Sequence, residues 1–198
     1  MRITILPLAF FISAIVFFSN CSSAYASQDL IGKSQLHPAH PLYFLKPVRE
    51  ILEMHFAQTP RVKFIRSLEF ATRRLREVRS LIDAGREDLI EPNLEKYWYH
   101  IQKLPDKDLA DGELVASIKG VTAVHLEVLE DVYRVVVNKR AKMSVRSAVN
   151  RLSQRQDLEL KTKGRICDFL AKESTSSALN QTEQAIYKER AQTCLSYL

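Results

Sequence analysis

The sequence predicts an all-α protein, an elongated bundle of five or six helices in antiparallel, coiled-coil-like hairpins. Three observations predict it. Glycine is scarce, five residues in 198, while charged residues interleave with Leu, Ile and Val along most of the chain. That is helix composition, not the composition of a β-sandwich or a disordered segment. Two long stretches carry apolar residues at alternating spacings of four and three. The first holds Phe64, Leu68, Ala71, Leu75, Val78 and Ile82; the second holds Leu114, Ile118, Val121, His125, Val128, Val132 and Val135. Such spacing lays one continuous apolar seam along a helix. Prolines and hydroxyl or amide residues punctuate the chain where helices would begin.

Residues 1–26 read as an export signal. Arg2 gives a basic start, Ile3 to Phe18 is apolar apart from Pro7 and Ser13, and Ala24-Tyr25-Ala26 supplies the small-residue exit. The apolar run is short for a transmembrane helix, which needs about 20 residues. Cleavage near Ala26 predicts a periplasmic, cell-surface or secreted protein and removes most ATP- and NAD-dependent chemistry. The alternative is a lipoprotein anchored through Cys21, against which Phe18 and Asn20 count, since the preceding positions call for small residues. No second apolar run of comparable length follows, so no transmembrane helix is expected in the mature chain.

Residues 27–40 are polar, with Pro38 ahead of Pro41, and read as an extended lead-in. Pro47 opens a short helix to about Ala57, since proline suits a first helical turn. Thr59-Pro60 is a clearer start, a hydroxyl cap followed by proline. The helix it opens carries the first seam, and Gly85 stands where a left-handed C-cap would sit. Pro92 opens a third helix to about Leu104. A fourth is predicted from Asp106 to about Arg140; it includes the β-branched run Val135-Val136-Val137, with helical flanks on both sides. Ser144 can cap a fifth. The pattern fades across Ser153 to Gly164 and resumes at Ile166. Asn180, with Glu183 three residues on, reads as a capping box for a last helix.

The segments Pro41-Leu42-Tyr43-Phe44-Leu45-Lys46, Arg49-Glu50, Thr59-Pro60 and Ala71-Thr72-Arg73-Arg74-Leu75-Arg76-Glu77 together resemble a bacterial family catalogued as domain of unknown function 5667. There a proline-led, tyrosine-containing segment precedes a helix, and a long helix with an alanine-x-arginine-leucine-x-glutamate core follows. The resemblance covers about residues 38 to 104. This divides the chain into a signal (1–26), a lead-in (27–40), a family-like helical domain (41–104) and a C-terminal helical extension (105–198). Further on, His125 to Glu130 and Ser147 to Arg151 look like helices often attached to the domain. The intervening stretch commonly carries a proline turn, and Val135 to Lys142 has none. The resemblance implies an extracytoplasmic helical module of bacterial envelope proteins. It implies no activity and carries over no functional residue; Tyr43 is expected to pack against the first helix.

Cys167 and Cys194 remain after the signal. An oxidising compartment favours pairing them, worth about 3–4 kcal/mol by the chain-entropy argument. A straight antiparallel hairpin turning near Lys172 to Asn180 would not juxtapose them. Either the helix around Cys167 bends or the thiols stay free.

Chemistry-bearing patterns are sparse. His125 is the polar member of an apolar seam, expected at its edge beside a carboxylate. His37 and His40 lack further ligands nearby for a metal. No glycine-rich phosphate loop is present, and neither mature cysteine has a nearby histidine. These readings point to no catalytic set, no cofactor and no metal. Two surfaces remain. Arg66, Arg73, Arg74, Arg76 and Arg79 form a basic stripe fit for anionic polymers or lipid headgroups, in a chain of formal net charge +6. A second basic cluster spans Lys139 to Arg155. Tyr97, Trp98 and Tyr99 cannot all face a core, so part of that cluster is expected to meet a partner. No nucleic-acid reading motif appears. The expectation is a non-enzymatic envelope interaction protein that binds a protein partner or an anionic surface; the alternative is a periplasmic-type holdase chaperone.

Overall fold

The computed structural model describes residues 31–105, 111–155 and 158–196. The export-signal reading, Cys21 and the expected helix start at Asp106 lie outside them. Seven α-helices are described: α1 (Leu45–His55), α2 (Pro60–Asp83), α3 (Ile90–Ile101), α4 (Gly112–Val135), α5 (Lys139–Leu152), α6 (Leu160–Glu173) and α7 (Gln181–Leu195). Short 3-10 turns, Pro41–Phe44 and Glu87–Leu89, precede α1 and α3. No strand occurs among the described residues. The described residues are therefore all-helical, with seven helices where five or six were expected.

Local chemistry sets most helix ends. The Thr59 hydroxyl accepts the Val62 N–H, and Pro60 begins α2. Gly85 takes φ 65°, the left-handed conformation that closes α2. Asn180 and Glu183 complete the reciprocal capping box of α7.

The break between the fourth and fifth helices falls earlier than the sequence reading placed it. The expected fourth helix ends at Val135, and Val136 is extended at φ −67°, ψ 129°. Asn138 then caps α5, its side chain accepting from the N–H groups of Arg140 and Ala141. Glu87, far back in the chain, accepts from the N–H groups of Val137 (3.1 Å) and Asn138 (2.6 Å). These acceptors satisfy donors that a helix start leaves unpaired, so the turn needs no proline. The local preference of three β-branched valines prevails over their helical flanks. Ser144 consequently lies inside α5.

The α2 seam faces the core as expected, with Leu68, Ala71, Leu75 and Val78 all buried. Phe70, Arg74, Glu77 and Leu81 are buried as well, so α2 is covered on more than one side. It packs on α3 and α4; both of these pack on α5; α6 packs on α4, α5 and α7. Cys167 and Cys194 form a disulfide with Cα atoms 5.6 Å apart. Cys167 lies six residues before the end of α6 and Cys194 thirteen after the start of α7. At 1.5 Å per residue those arms differ by about 10 Å, and the bond forms across that difference.

Candidate functional site

In α1 the usual arrangement of an amphipathic helix is inverted. Leu45, Val48, Ile51 and Leu52 recur at helical spacing and define an apolar arc; Lys46, Glu50 and Glu53 define the opposite one. The apolar arc of such a helix ordinarily faces the protein. Here α1 has no buried residue, and its apolar arc points to solvent, with Ile51 67% exposed. Leu42, Phe44 and Phe56, just outside its two ends, are exposed as well, Phe56 being 73% exposed, and so in smaller measure are Val62 and Ile65 at the start of α2. Beside Phe56 lies an open notch of about 700 Å³, lined by Ile51, Met54, His55, Ala57, Gln58 and Lys63.

The polar arc is held by α2. Arg74, 3% exposed, is the centre. Its Nη1 donates to both oxygens of Glu77 at 2.8 Å and to the Tyr43 hydroxyl at 2.7 Å. Its Nη2 pairs with Glu50. The Tyr43 hydroxyl donates onward to Glu77 Oε2 at 3.0 Å. Lys46 pairs with Glu77 and also donates to Ser34 Oγ and the Leu36 carbonyl, tying the lead-in to the cluster. Arg73 meets Glu53 at 2.9 Å, and Arg49 reaches the other oxygen of Glu53 at 2.5 Å. From α3, Asn93 Nδ2 donates to the Arg74 carbonyl at 2.9 Å.

Lys46, Arg73 and Arg74 therefore face Glu50, Glu53 and Glu77, with the more exposed Arg49 on the outer side of Glu53, so every carboxylate of the cluster has a basic partner. Burial, then the neighbouring Glu77, pushes the Tyr43 hydroxyl well above its ordinary pKa, so it stays a donor. Burial raises Glu50 more than Arg74 lowers it. At Glu53 burial pulls upward, but the hydrogen bond and charge of Arg73 more than offset it and hold the carboxyl below the usual range. For Arg74, burial favours the neutral form, and Glu77 and Glu50 outweigh it. The ionised groups answer one another. The cluster is a fastener that holds α1 polar side down and presents its apolar side. Among the described residues no group of three or more His, Cys, Asp or Glu could hold a metal ion.

The expected site residues distribute differently from one shared surface. Of the basic stripe, Arg73 and Arg74 turn into the fastener. Arg66 pairs with Glu69 at 2.7 Å, and Arg76 Nε donates to the Ile31 carbonyl at 2.9 Å, holding the lead-in. Arg79 is half-buried. In the aromatic trio, Tyr97 is a core residue, edge-on to His125 with ring centroids 5.5 Å apart, so it presents nothing to a partner. Trp98 is half-buried, with the Arg151 guanidinium 5.8 Å from its ring centroid. Tyr99 is exposed, with the Lys103 ammonium 3.8 Å over its ring. His125 is fully buried and has no carboxylate beside it. Its Nε2 lies 2.9 Å from Thr72 Oγ1, whose own proton goes to the Leu68 carbonyl, so the ring donates there. Burial pushes its pKa down to about 3. His37 and His40 use Nδ1 to accept the N–H groups of Ala39 and Leu42, shaping the turn into α1. Sequence reasoning missed the exposed face. Its signal was present in the spacing of Leu45, Val48, Ile51 and Leu52; which way the arc would face depends on α2.

A family model for a domain of unknown function, DUF5667, matches residues 35–139. The chain belongs to this family. The match extends past residue 104, where the family-like domain was expected to end, through α4 to the first residue of α5. It contains the whole exposed face and every residue of the charge cluster. The motif residues that carried the resemblance are the ones the fold gathers: Tyr43, Lys46 and Glu50 arrive with α1 and the turn before it, Arg74 and Glu77 with α2. No curated protein and no solved structure matches the chain.

Proposed function

We propose that this DUF5667 protein is an exported, non-enzymatic interaction protein of the bacterial envelope, and that it docks a partner through the apolar face of α1 and the start of α2. One observation carries the reading: seven large apolar side chains, Leu45, Val48, Ile51 and Leu52 on α1 and Leu42, Phe44 and Phe56 just outside its ends, lie in solvent while the polar side of the helix is fastened inward. Contiguous exposed apolar surface of this extent marks interaction sites in soluble proteins. The disulfide supports an oxidising compartment. The short connections between the packed neighbours α2 and α3 support helices arranged as antiparallel hairpins. Arg73 and Arg74 are neutralised internally, which favours an apolar partner over an anionic polymer.

The test is site-specific photo-cross-linking in living cells. Probes placed at Ile51 and Phe56 are expected to form adducts, and a probe at exposed Lys188, on α7, is not. Absence of adducts from both face positions would remove the reading. A holdase role is the second reading, favoured by the same exposed apolar surface. It predicts that stoichiometric protein suppresses aggregation of unfolded clients and that Ile51→Glu abolishes the effect.

A further inference from the structure

The face that the docking reading rests on has a shape that narrows its occupant. Phe56 is a projecting knob, the most exposed aromatic ring of the face, and the notch lined by Ile51, Met54, Ala57 and Lys63 lies directly beside it. A two-fold contact brings the same patch from both subunits together, so residue i of one meets residue j of the other and the reverse. Such a patch must carry both a projection and a recess. This one does.

Area and charge point the same way. Seven large side chains, each between half and three-quarters exposed, amount to roughly 700 Å², close to the share of about 800 Å² that each partner gives a standard interface. The outward arc of α1 is apolar, with His55, Gln58 and Lys63 as the polar members at the notch, and homodimer interfaces are the more apolar class. Two copies of a chain with net charge +6 repel, and the outward arc of α1 is where they can meet, because Lys46, Glu50 and Glu53 are turned inward and balanced. Lys63 at the notch stands where it can cap the incoming Phe56 ring.

We infer that a second copy of this chain covers the face, with Phe56 of each copy seated in the other's notch. The inference rests on the docking reading above. Sedimentation equilibrium of the protein in the form the cell accumulates tests it. A two-chain mass at micromolar concentration is expected. Phe56→Glu and Ile51→Glu should each raise the dimer dissociation constant at least about 30-fold, a hot-spot loss, with an unchanged melting temperature when variant and parent are compared dilute enough for both to be monomers. Lys63→Ala should raise it less. A one-chain mass at every concentration overturns the inference, as does a dimer indifferent to Phe56→Glu. A monomer that floats with phosphatidylcholine–phosphatidylglycerol vesicles through Ile51 and Phe56 also overturns it, and leaves docking standing with lipid as the occupant. A monomer that gives no cross-links from Ile51 or Phe56 in cells removes both.

Discussion

The two ends of the molecule contain the same triad of side chains put to different use. In the family domain, the Tyr43 hydroxyl accepts from Arg74 and donates to Glu77. Toward the other end, the Tyr133 hydroxyl, on α4 and still within the family match, accepts from Arg146 on α5 at 2.9 Å and donates to Glu173 on α6 at 2.6 Å, while Arg146 pairs with Glu173. Burial, then the hydrogen bond to Glu173, pushes Tyr133 up to about 12, as burial and Glu77 raise Tyr43. The second triad joins α4, α5 and α6, which also share a core through Val132, Val145, Val149, Ile166 and Leu170. The first triad fastens a helix with no buried residue. The difference shows that buried charge can set a helix's orientation against its hydrophobic preference, and that the apolar contact thereby withheld from the core is left on the surface. The last helix, α7, offers a third solution, a disulfide to α6.

The comparison breaks most sharply if each fastener is removed singly. Glu77→Ala leaves Arg74 and Lys46 without their shared counter-charge, and losing one partner of a buried pair costs about 3–5 kcal/mol. Glu173→Ala should cost a similar amount in denaturant unfolding. Hydrogen exchange should separate them: Glu77→Ala deprotects residues 45–55, and Glu173→Ala leaves them protected. Deprotection of α1 in both variants would mean that the triads are coupled and the contrast is false. Cys167→Ser removes the covalent hold on α7, an expected loss of about 3–4 kcal/mol by the chain-entropy estimate. Exchange should then rise in residues 181–195 and stay unchanged in α1. No change in melting temperature would mean that apolar contacts alone secure α7.

These contrasts also explain what the sequence made legible. The α2 seam, the Thr59 cap, the Gly85 turn and the Asn180–Glu183 box depend on neighbours within a turn or two, and each is found where its local pattern lies. The Val135–Asn138 break depends on Glu87, about fifty residues earlier, so helical flanks pointed the wrong way. The outward face of α1 depends on the carboxylate and guanidinium groups of another helix. Tyr97, Trp98 and Tyr99 were legible as a mixture of buried and exposed rings, yet only packing against His125 shows that Tyr97 is the buried one. The disulfide was legible as a pair of cysteines and illegible as geometry, because the unequal distances of Cys167 and Cys194 from the turn do not by themselves fix how the two helices align.

Acid should weaken the family domain before the C-terminal part. All five histidines lie within residues 35–139. Burial holds His125 down to about 3 and His100 down to about 4 in the folded protein, against about 6.5 unfolded. As pH falls below about 6.5, the unfolded chain takes up these protons first, so stability is lost progressively until the folded values are reached. For His125 alone the loss between pH 7 and pH 5 is about 2 kcal/mol. Denaturant unfolding at the two pH values measures it. His125→Leu keeps the volume and should shrink the pH difference by that amount; an unchanged slope would place the acid sensitivity elsewhere.

The smallest expected effect tests the idea of the fastener within a single helix. Arg66–Glu69 and Arg74–Glu77 are both arginine–glutamate pairs at a spacing of three on α2. In sequence they are one motif written twice, which is why both arginines read as one basic stripe. Arg66 and Glu69 remain half-exposed, where solvent and salt screen the pair and its side chains give up entropy to hold one geometry. Arg66→Ala should therefore change stability by less than about 0.5 kcal/mol, and added salt should erase the change. Arg74→Ala should remain severe at any salt concentration, because it removes the buried guanidinium that Glu50 faces and leaves Glu77 with Lys46 and the Tyr43 hydroxyl alone. If the two substitutions cost the same, burial is not what makes the Tyr43–Arg74–Glu77 cluster a fastener, and the inverted helix must be held by something other than its charges.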